Sequence, residues 1–272
     1  MRTIMYSLIL LLFSLELEAQ TVVFANSKDH RDLLFAQSVK SCDEFMCRFN
    51  GKEFFPGITS KVKDYKQKNF LMLFDSQLAT HVKREDFLKS VYDFYDSVMV
   101  NHINLEYESQ KWYAEENVTF FYKGKNINLG IVMQPEKNDK NKYGWTIVGV
   151  NGLEKLGYRD SSRHLTISPE QHEADFMEME SCFKLESNCF SELRNSNLPL
   201  DALSYFFALV ETKTLVFDKR VNTTFHFFDV PGYVFSVRFK KKKKANNGWL
   251  ISKFTKIEEN SKQSLTNKLL GK

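Results

Sequence analysis

The sequence predicts an α+β protein in which helices pack on curved antiparallel sheets. Three observations lead to this prediction: an internal repeat, alternating apolar and polar residues within each copy, and apolar residues at helical spacing ahead of each copy. Helices followed by a run of antiparallel strands are typical of this class, because the helices bury the apolar face of the sheet. We expect two cone-like units in tandem, each a helix layer with a curved sheet, and the second shorter than the first.

The repeat comprises residues 105–150 and residues 210–254. Three residues recur at a shift of 105 positions, and a Gly-Trp pair recurs at a shift of 104: Asn117, Thr119, Phe120 and Gly144-Trp145 match Asn222, Thr224, Phe225 and Gly248-Trp249. Turn residues separate the alternating runs, for example Lys123-Gly124-Lys125 in the first copy. Each copy therefore predicts an antiparallel meander.

Apolar residues at helical spacing, together with capping residues, predict the helices. Four of them follow from these rules: from Ser27 or Asp29 to Phe49 with Asn50-Gly51 as its stop, residues 86–100, residues 168–184, and residues 200–209. The short apolar segment at residues 69–75 fits either a strand or a buried helix.

The first 19 residues predict a secretory signal peptide. Arg2 supplies a positive charge, residues 4–15 are an apolar run, and Ala19 stands before a cleavage point at Gln20. The apolar run is too short to span a bilayer, so an uncleaved anchor is the less favoured alternative. We expect an exported chain, periplasmic or secreted, with no membrane span after cleavage.

The chain after the signal peptide divides at a polar linker. We predict a first α+β domain over residues 20–155, a second over residues 160–259, and a polar tail over residues 260–272. Polar termini without apolar anchors are commonly poorly ordered, so we expect the tail to fray.

One basic run dominates the formal net charge of +4: Lys240, Lys241, Lys242, Lys243 and Lys244. It stands between two predicted strands of the second copy, where the first copy has a segment of mixed charge. No aromatic residue lies among these lysines, and binding of single-stranded nucleic acid needs such stacking platforms. We interpret the run as a solvated hairpin tip, with weak binding of a polyanion as the alternative. We expect no specific nucleic-acid partner.

Four cysteines are present, at Cys42, Cys47, Cys182 and Cys189. An exported chain permits disulfides in three connectivities, or all four thiols are small buried groups. Cys42 and Cys47 lie on different faces of the predicted first helix, so we expect no bridge between them. The sequence has no Cys-x-x-Cys pair and no histidine pair at ligand spacing, so we expect no metal and no cofactor.

The segment "EFMCRFNG" (residues 44–51), the closing Gly-Trp strands and "LEAQ" (residues 17–20) resemble the nuclear transport factor two-like, or cystatin-like, cone-shaped family. More narrowly, the chain is similar to tandem exported proteins of unknown function from Bacteroidetes. The resemblance implies a pocket between the sheet and the helices. It nominates four inward residues for that pocket, Tyr122, Trp145, His226 and Trp249, with plain core packing as the alternative. His226 stands where the first copy has Phe121.

No nucleophile motif and no phosphate-binding glycine loop occurs in the sequence. We therefore predict an exported, non-catalytic protein that binds a small apolar ligand or a partner protein of the cell envelope, with a homodimer as one possible assembly. One alternative is a pocket enzyme of hydrolase or isomerase type that uses a buried His226. The other alternative is the weak polyanion binder described above.

Overall fold

The computed structural model describes residues 38–80, 82–158, 201–241 and 247–272. The described helices are α1 (Cys42–Phe49), α2 (Tyr65–Leu71), α3 (Arg84–Val100), α4 (Ala202–Glu211) and α5 (Glu259–Leu269). The described strands are β1 (Trp112–Tyr122), β2 (Lys125–Lys137), β3 (Tyr143–Asn151), β4 (Leu215–Phe227), β5 (Tyr233–Lys240) and β6 (Gly248–Lys256). The predicted signal peptide and the predicted helix at residues 168–184 lie outside the described residues.

The six strands form one antiparallel sheet in the order β3-β2-β1-β4-β5-β6. The α+β class is therefore confirmed, whereas the tandem arrangement of two units stays a prediction. The β1–β2 turn follows the sequence directly, since Lys123 and Gly124 adopt φ of 45° and 79°. Positive φ at both central residues is what a two-residue hairpin requires.

Helix predictions are confirmed for α3 and α4, and the apolar segment at residues 69–75 begins as the end of helix α2. Helix α1 differs from its prediction at the start. It begins at Cys42, where the hydroxyl of Ser41 accepts a hydrogen bond from the Glu44 amide at 3.1 Å. The predicted stop is confirmed, because Asn50 caps α1 and Gly51 follows with φ of 68°.

Packing divides the chain into two compact units, and neither is continuous in sequence. The first unit comprises Met1–Trp112 with Thr224–Glu259, and the second comprises Tyr113–Thr223 with Asn260–Lys272. Helices α1 to α3 therefore share a unit with β5 and β6, which come much later in the chain. The predicted domain boundaries at residues 155 and 160 divide the chain into segments that are continuous in sequence. They stay a prediction.

The core of the first unit is aromatic. Phe94 and Phe235 are almost fully buried, and their ring centroids lie 5.5 Å apart. The ring of Phe49 stacks on Phe235 at 5.6 Å, and Trp112 stacks on Phe227 at 5.5 Å. Such pairs contribute about 0.5–1.5 kcal/mol each beyond the burial of their surface. The high phenylalanine content of the sequence thus fills the space between the helices and the strands.

The outer edge of β6 is covered by backbone from outside the sheet. Val39 accepts a hydrogen bond from the amide of Trp249 and donates one to the carbonyl of Asn247, both at 2.9 Å. Residues 73–75 exchange two further hydrogen bonds with Ile251, at 2.8 and 2.9 Å. These parallel bridges satisfy groups that an exposed edge strand would present to other chains. They also fasten the segments that flank α1 and α2 to the sheet.

In the second unit, α4 packs on β1 to β3, and Phe206 of α4 meets Phe120 of β1 edge to face at 6.0 Å. The predicted frayed tail is helical instead, as α5. The carbonyl of Leu269 accepts a hydrogen bond from the Asn151 side chain at 2.7 Å. A Cβ at Gly149 would lie 2.6 Å from the Leu270 carbonyl oxygen. The glycine therefore permits the close approach of backbone that orders the tail.

The covered edge of β6 predicts that the two repeated glycines, Gly144 and Gly248, contribute differently to stability. Gly248 has φ of 95°, and a Cβ there would lie 1.9 Å from the carbonyl oxygen of Val39. We expect Gly248→Ala to lower the free energy of unfolding by about 3 kcal/mol, since it adds left-handed strain to a steric clash.

Gly144→Ala is the matched control, because a Cβ at Gly144 meets nothing within 4 Å. We expect it to change stability by less than about 1 kcal/mol. Urea unfolding of both variants measures the difference. Equal losses of stability would show that the closure of the β6 edge contributes little.

Candidate functional site

Two of the four nominated pocket residues lie in the second unit. Tyr122 is half-buried, and its hydroxyl donates a hydrogen bond to the carbonyl of Leu156 at 3.3 Å. The side chain of Trp145 is 44% exposed near the start of β3. Tyr122 thus packs against the core of the second unit, whereas Trp145 presents much of its ring to solvent.

The other two nominated residues lie in the first unit. Trp249 is half-buried between Phe225 at 4.7 Å and Phe239 at 5.7 Å. His226 is also half-buried, and its Nδ1 lies 3.1 Å from the hydroxyl of Ser236. Because successive residues of a strand point to opposite faces, His226 and its neighbour Phe225 lie on opposite sides of the sheet. A pocket role for the four nominated residues stays a prediction.

The two repeated tryptophans differ in their surroundings. Trp249 packs against two phenylalanine rings, whereas Trp145 pairs across strands with Pro135 and remains largely exposed. The glycines before them differ as well, since the backbone of Val39 lies against Gly248, whereas a Cβ at Gly144 would meet nothing within 4 Å. The two Gly-Trp pairs are therefore identical in sequence but differ in their surroundings.

The basic run is described only at Lys240 and Lys241, and Lys242, Lys243 and Lys244 lie outside the described residues. Lys241 is exposed, as expected for a solvated tip. Lys240 is different, because its Nζ lies 3.1 Å from a carboxylate oxygen of Asp75, a side chain that is only 2% exposed. Asp75 also accepts a hydrogen bond from the Gln77 amide at 3.0 Å. Lys240, the first lysine of the run, therefore forms an ion pair with a buried carboxylate instead of extending freely into solvent.

This ion pair predicts that neighbouring lysines contribute unequally to stability. Lys240→Met leaves the buried Asp75 carboxylate without this cation, so we expect a loss of about 1–3 kcal/mol in the free energy of unfolding. Lys241→Met removes the same charge from an exposed position, and we expect a change within about 0.5 kcal/mol. Chemical denaturation of the two variants tests this. If both variants were as stable as the parent protein, the pair would contribute nothing measurable.

Cys42 and Cys47 are free thiols in α1, so the prediction that they do not bridge each other is confirmed. Burial raises the pKa of both thiols, and the negative charge of Asp43 raises it further. Both are therefore protonated and weakly nucleophilic at neutral pH. Cys182 and Cys189 lie outside the described residues.

The described part of the chain contains no group of three or more His, Cys, Asp or Glu residues placed to hold a metal ion. It also contains no helix with the length and apolar composition to cross a membrane.

A cleft of about 220 Å³ opens in the first unit, and none of the four nominated residues lines it. It lies where the end of α1, helix α2 and the carboxyl end of α3 meet. Its lining is Arg48, Phe49, Asn50, Gly51, Phe54, Lys66, Asn69, Phe70, Tyr95, Val98, Met99, His102, Ile103 and Asn104. We refer to this site as the helix cleft.

The apolar floor of the helix cleft is set by Phe70. Its ring lies 5.2 Å from Phe49 and 5.1 Å from Tyr95, so it joins α1, α2 and α3. Phe49, Phe70 and Val98 are each at most 5% exposed. Because the floor belongs to the aromatic core, its geometry is fixed by core packing rather than by loop conformation.

Two asparagines fix the walls of the helix cleft. Asn69 is 2% exposed, accepts a hydrogen bond from the Phe55 amide at 2.8 Å and donates one to the Arg48 carbonyl at 3.1 Å. Asn50 exchanges two hydrogen bonds with the backbone of Leu105, at 2.8 and 2.9 Å. These side chains replace the backbone partners that helix ends lack, so the cleft is preorganised.

Arg48 contributes a buried cation to the helix cleft. Its side chain is 2% exposed, and its guanidinium forms ion pairs with Glu44 and with Glu53, the latter at 3.4 Å. The guanidinium also lies 4.1 Å from the centroid of the Phe55 ring. The charge of Arg48 is therefore compensated within the fold, as a buried charge requires.

The rim of the helix cleft contains a strained residue. His102 follows the end of α3 with φ of 51°, a left-handed conformation that costs a residue other than glycine about 1 kcal/mol. This conformation closes α3, because the Ile103 amide then donates a hydrogen bond to the carbonyl of Val98 at 3.0 Å. Tyr95 lies nearby, and burial raises its pKa, with further increases from the charges of Asp96 and Asp64. Its hydroxyl is therefore protonated at neutral pH and able to donate a hydrogen bond.

Sequence motifs give little signal for this site. Arg48 and Asn69 are polar residues that the fold buries, and buried polar residues need fixed partners. The partners of Arg48 lie four and five residues away, at Glu44 and Glu53, whereas Asn69 bonds to backbone 14 and 21 residues away.

No protein-family model, curated protein or solved structure matches this chain. The resemblance to the nuclear transport factor two-like family therefore stays a prediction.

Proposed function

We propose that this chain is an exported, non-catalytic binding protein and that its ligand, a small and largely apolar molecule, occupies the helix cleft. The observation that carries the proposal is the preformed apolar floor beneath an open rim, all within one compact unit. Export rests on the predicted signal peptide. Binding to an envelope protein remains the alternative for the same exported chain.

The size of the helix cleft supports a small ligand. A dry apolar cavity of about 150 Å³ holds one benzene molecule, whereas sites for drug-sized ligands measure about 300–1,000 Å³. The cleft, at about 220 Å³, lies between these limits. It therefore has room for one ring or a short alkyl chain with one polar group.

The chemistry of the lining supports binding rather than catalysis. Among the described residues that line the cleft, none is Ser, Thr, Cys, Asp or Glu, so the lining pairs His102 with neither a hydroxyl or thiol nucleophile of that kind nor a carboxylate. Aromatic walls with a few convergent polar groups are typical of ligand sites.

The proposal predicts that a bulky residue at the rim blocks binding. Met99 lines the cleft and is 43% exposed, so Met99→Trp can place its ring over the opening without disturbing the core. We expect ligand captured from the native host to be lost from this variant in native mass spectrometry, and a weakening of about tenfold or more for any identified ligand.

Val100→Trp is the matched control, since Val100 is the next residue, is 76% exposed and does not line the cleft. It is expected to retain the ligand. If Met99→Trp and the parent protein carry the same ligand at the same affinity, the ligand binds elsewhere and the proposal fails.

The enzyme alternative has one observation in its favour. The Ser236 hydroxyl lies 3.1 Å from His226 Nδ1, and a hydroxyl bonded to an imidazole is the minimal arrangement for an activated nucleophile. Under the binding proposal, Ser236→Ala and His226→Gln leave the slow hydrolysis of an activated ester such as p-nitrophenyl acetate unchanged. A parent rate well above that of both variants, with all three proteins equally folded, would favour the enzyme.

A further inference from the structure

We infer that the helix cleft takes a small monocarboxylate with an apolar body, such as an arylacetic acid or a short-chain fatty acid. The apolar body lies on the phenylalanine floor, and the carboxylate lies at the rim beside Lys66 and His102. This inference rests on the proposed function, because it names the ligand class of the same site.

The charged residues of the lining are both cations. Arg48 and Lys66 line the cleft, whereas none of its described lining residues is Asp or Glu. A concave site with cationic groups and low-dielectric walls attracts anions, because the walls concentrate the electrostatic field in the opening. The lining therefore favours a negatively charged ligand over a neutral or positive one.

The depth of each group sets the orientation of the ligand. Arg48 is buried and already paired with Glu44 and Glu53, so it contributes little free charge. Lys66 and His102 are exposed, and no carboxylate in the described part of the chain forms an ion pair with Lys66. The available positive charge is thus at the rim, and the apolar surface is at the floor.

Two carboxylates near the cleft oppose an anion. Asp64 and Asp96 both raise the pKa of Tyr95, which places them close to one wall, but neither belongs to the lining. Lys66 is an exposed lining residue, so its ammonium is the charged group that meets the ligand directly. The Tyr95 hydroxyl also lines the cleft and can donate a hydrogen bond to a carboxylate oxygen.

The end of α3 places the imidazole of His102 at the rim. His102 is the left-handed residue that closes the helix, and the Ile103 amide donates a hydrogen bond to the carbonyl of Val98 at 3.0 Å. Glycine is the commoner residue at such a position. The imidazole, unlike glycine, brings an N–H group that can donate a hydrogen bond to a bound carboxylate.

Three probes of similar size and different charge test the inference: phenylacetate, 2-phenylethanol and 2-phenylethylammonium. Each is titrated into the purified protein, and binding is followed by the NMR shifts of the backbone amides around the cleft. We expect phenylacetate to bind about fivefold more tightly than the alcohol and the ammonium compound to bind most weakly, because one charge-assisted contact is worth about this factor.

Lys66→Met is expected to remove the preference for phenylacetate over the alcohol. Lys89→Met is its matched control, because Lys89 is an exposed lysine of α3 outside the lining. Loss of preference in Lys66→Met alone supports the inference. A preference that survives Lys66→Met, equal affinities for the three probes, or a preference for the ammonium compound overturns it.

The failure of the inference differs from the failure of the proposed function. If all three probes bind equally and Met99→Trp weakens all three, the cleft binds apolar molecules without regard to charge, and only the inference fails. If no probe shifts the amides around the cleft and the native ligand is also insensitive to Met99→Trp, both fail.

Discussion

Four backbone hydrogen bonds join β6 and the preceding residue Asn247 to residues 39 and 73–75, and they anchor the helices of the first unit to its sheet. Helices α1 and α2 have only 8 and 7 residues, and isolated helices of that length are marginal in water. Attachment of their flanking segments to the sheet fixes where these helices lie. The end of α1 and residues of α2 line the helix cleft, so covering the β6 edge also holds two sides of the cleft in place.

The strands and most helices could be predicted because their signals are local. Three local signals depend only on neighbouring residues: the alternating residue types of β1 and β5, the positive φ at Lys123-Gly124, and the Asn50-Gly51 helix stop. The grouping of helices with strands could not be predicted, since it depends on contacts between distant segments. Gly144 and Gly248 each precede a tryptophan, and this local sequence does not show that their surroundings differ. Gly248 lies against the backbone of Val39, whereas a Cβ at Gly144 would meet nothing within 4 Å.

The candidate site could not be predicted from sequence motifs, because its residues also come together only in the fold. Its lining comes from three helices and the loops between them, with no recurring spacing. Arg48 and Asn69 hold the site through partners at positions 44, 53 and 55, and the purpose of such polar residues is visible only when the partners are in place. Aromatic residues of the strands were the obvious candidates for a ligand pocket, yet strand residues such as Phe227 and Phe235 are buried in the core.

The covered edge of β6 also has a consequence for biogenesis. Val39 emerges early from the ribosome, whereas its partners Asn247 and Trp249 emerge only when most of the chain has been made. Helices α1 to α3 are therefore made long before β5 and β6, the strands that cover their phenylalanine side chains. Such long-range pairing slows folding and exposes intermediates to aggregation. A chaperone that binds exposed apolar helices during synthesis would be most needed by this half of the protein.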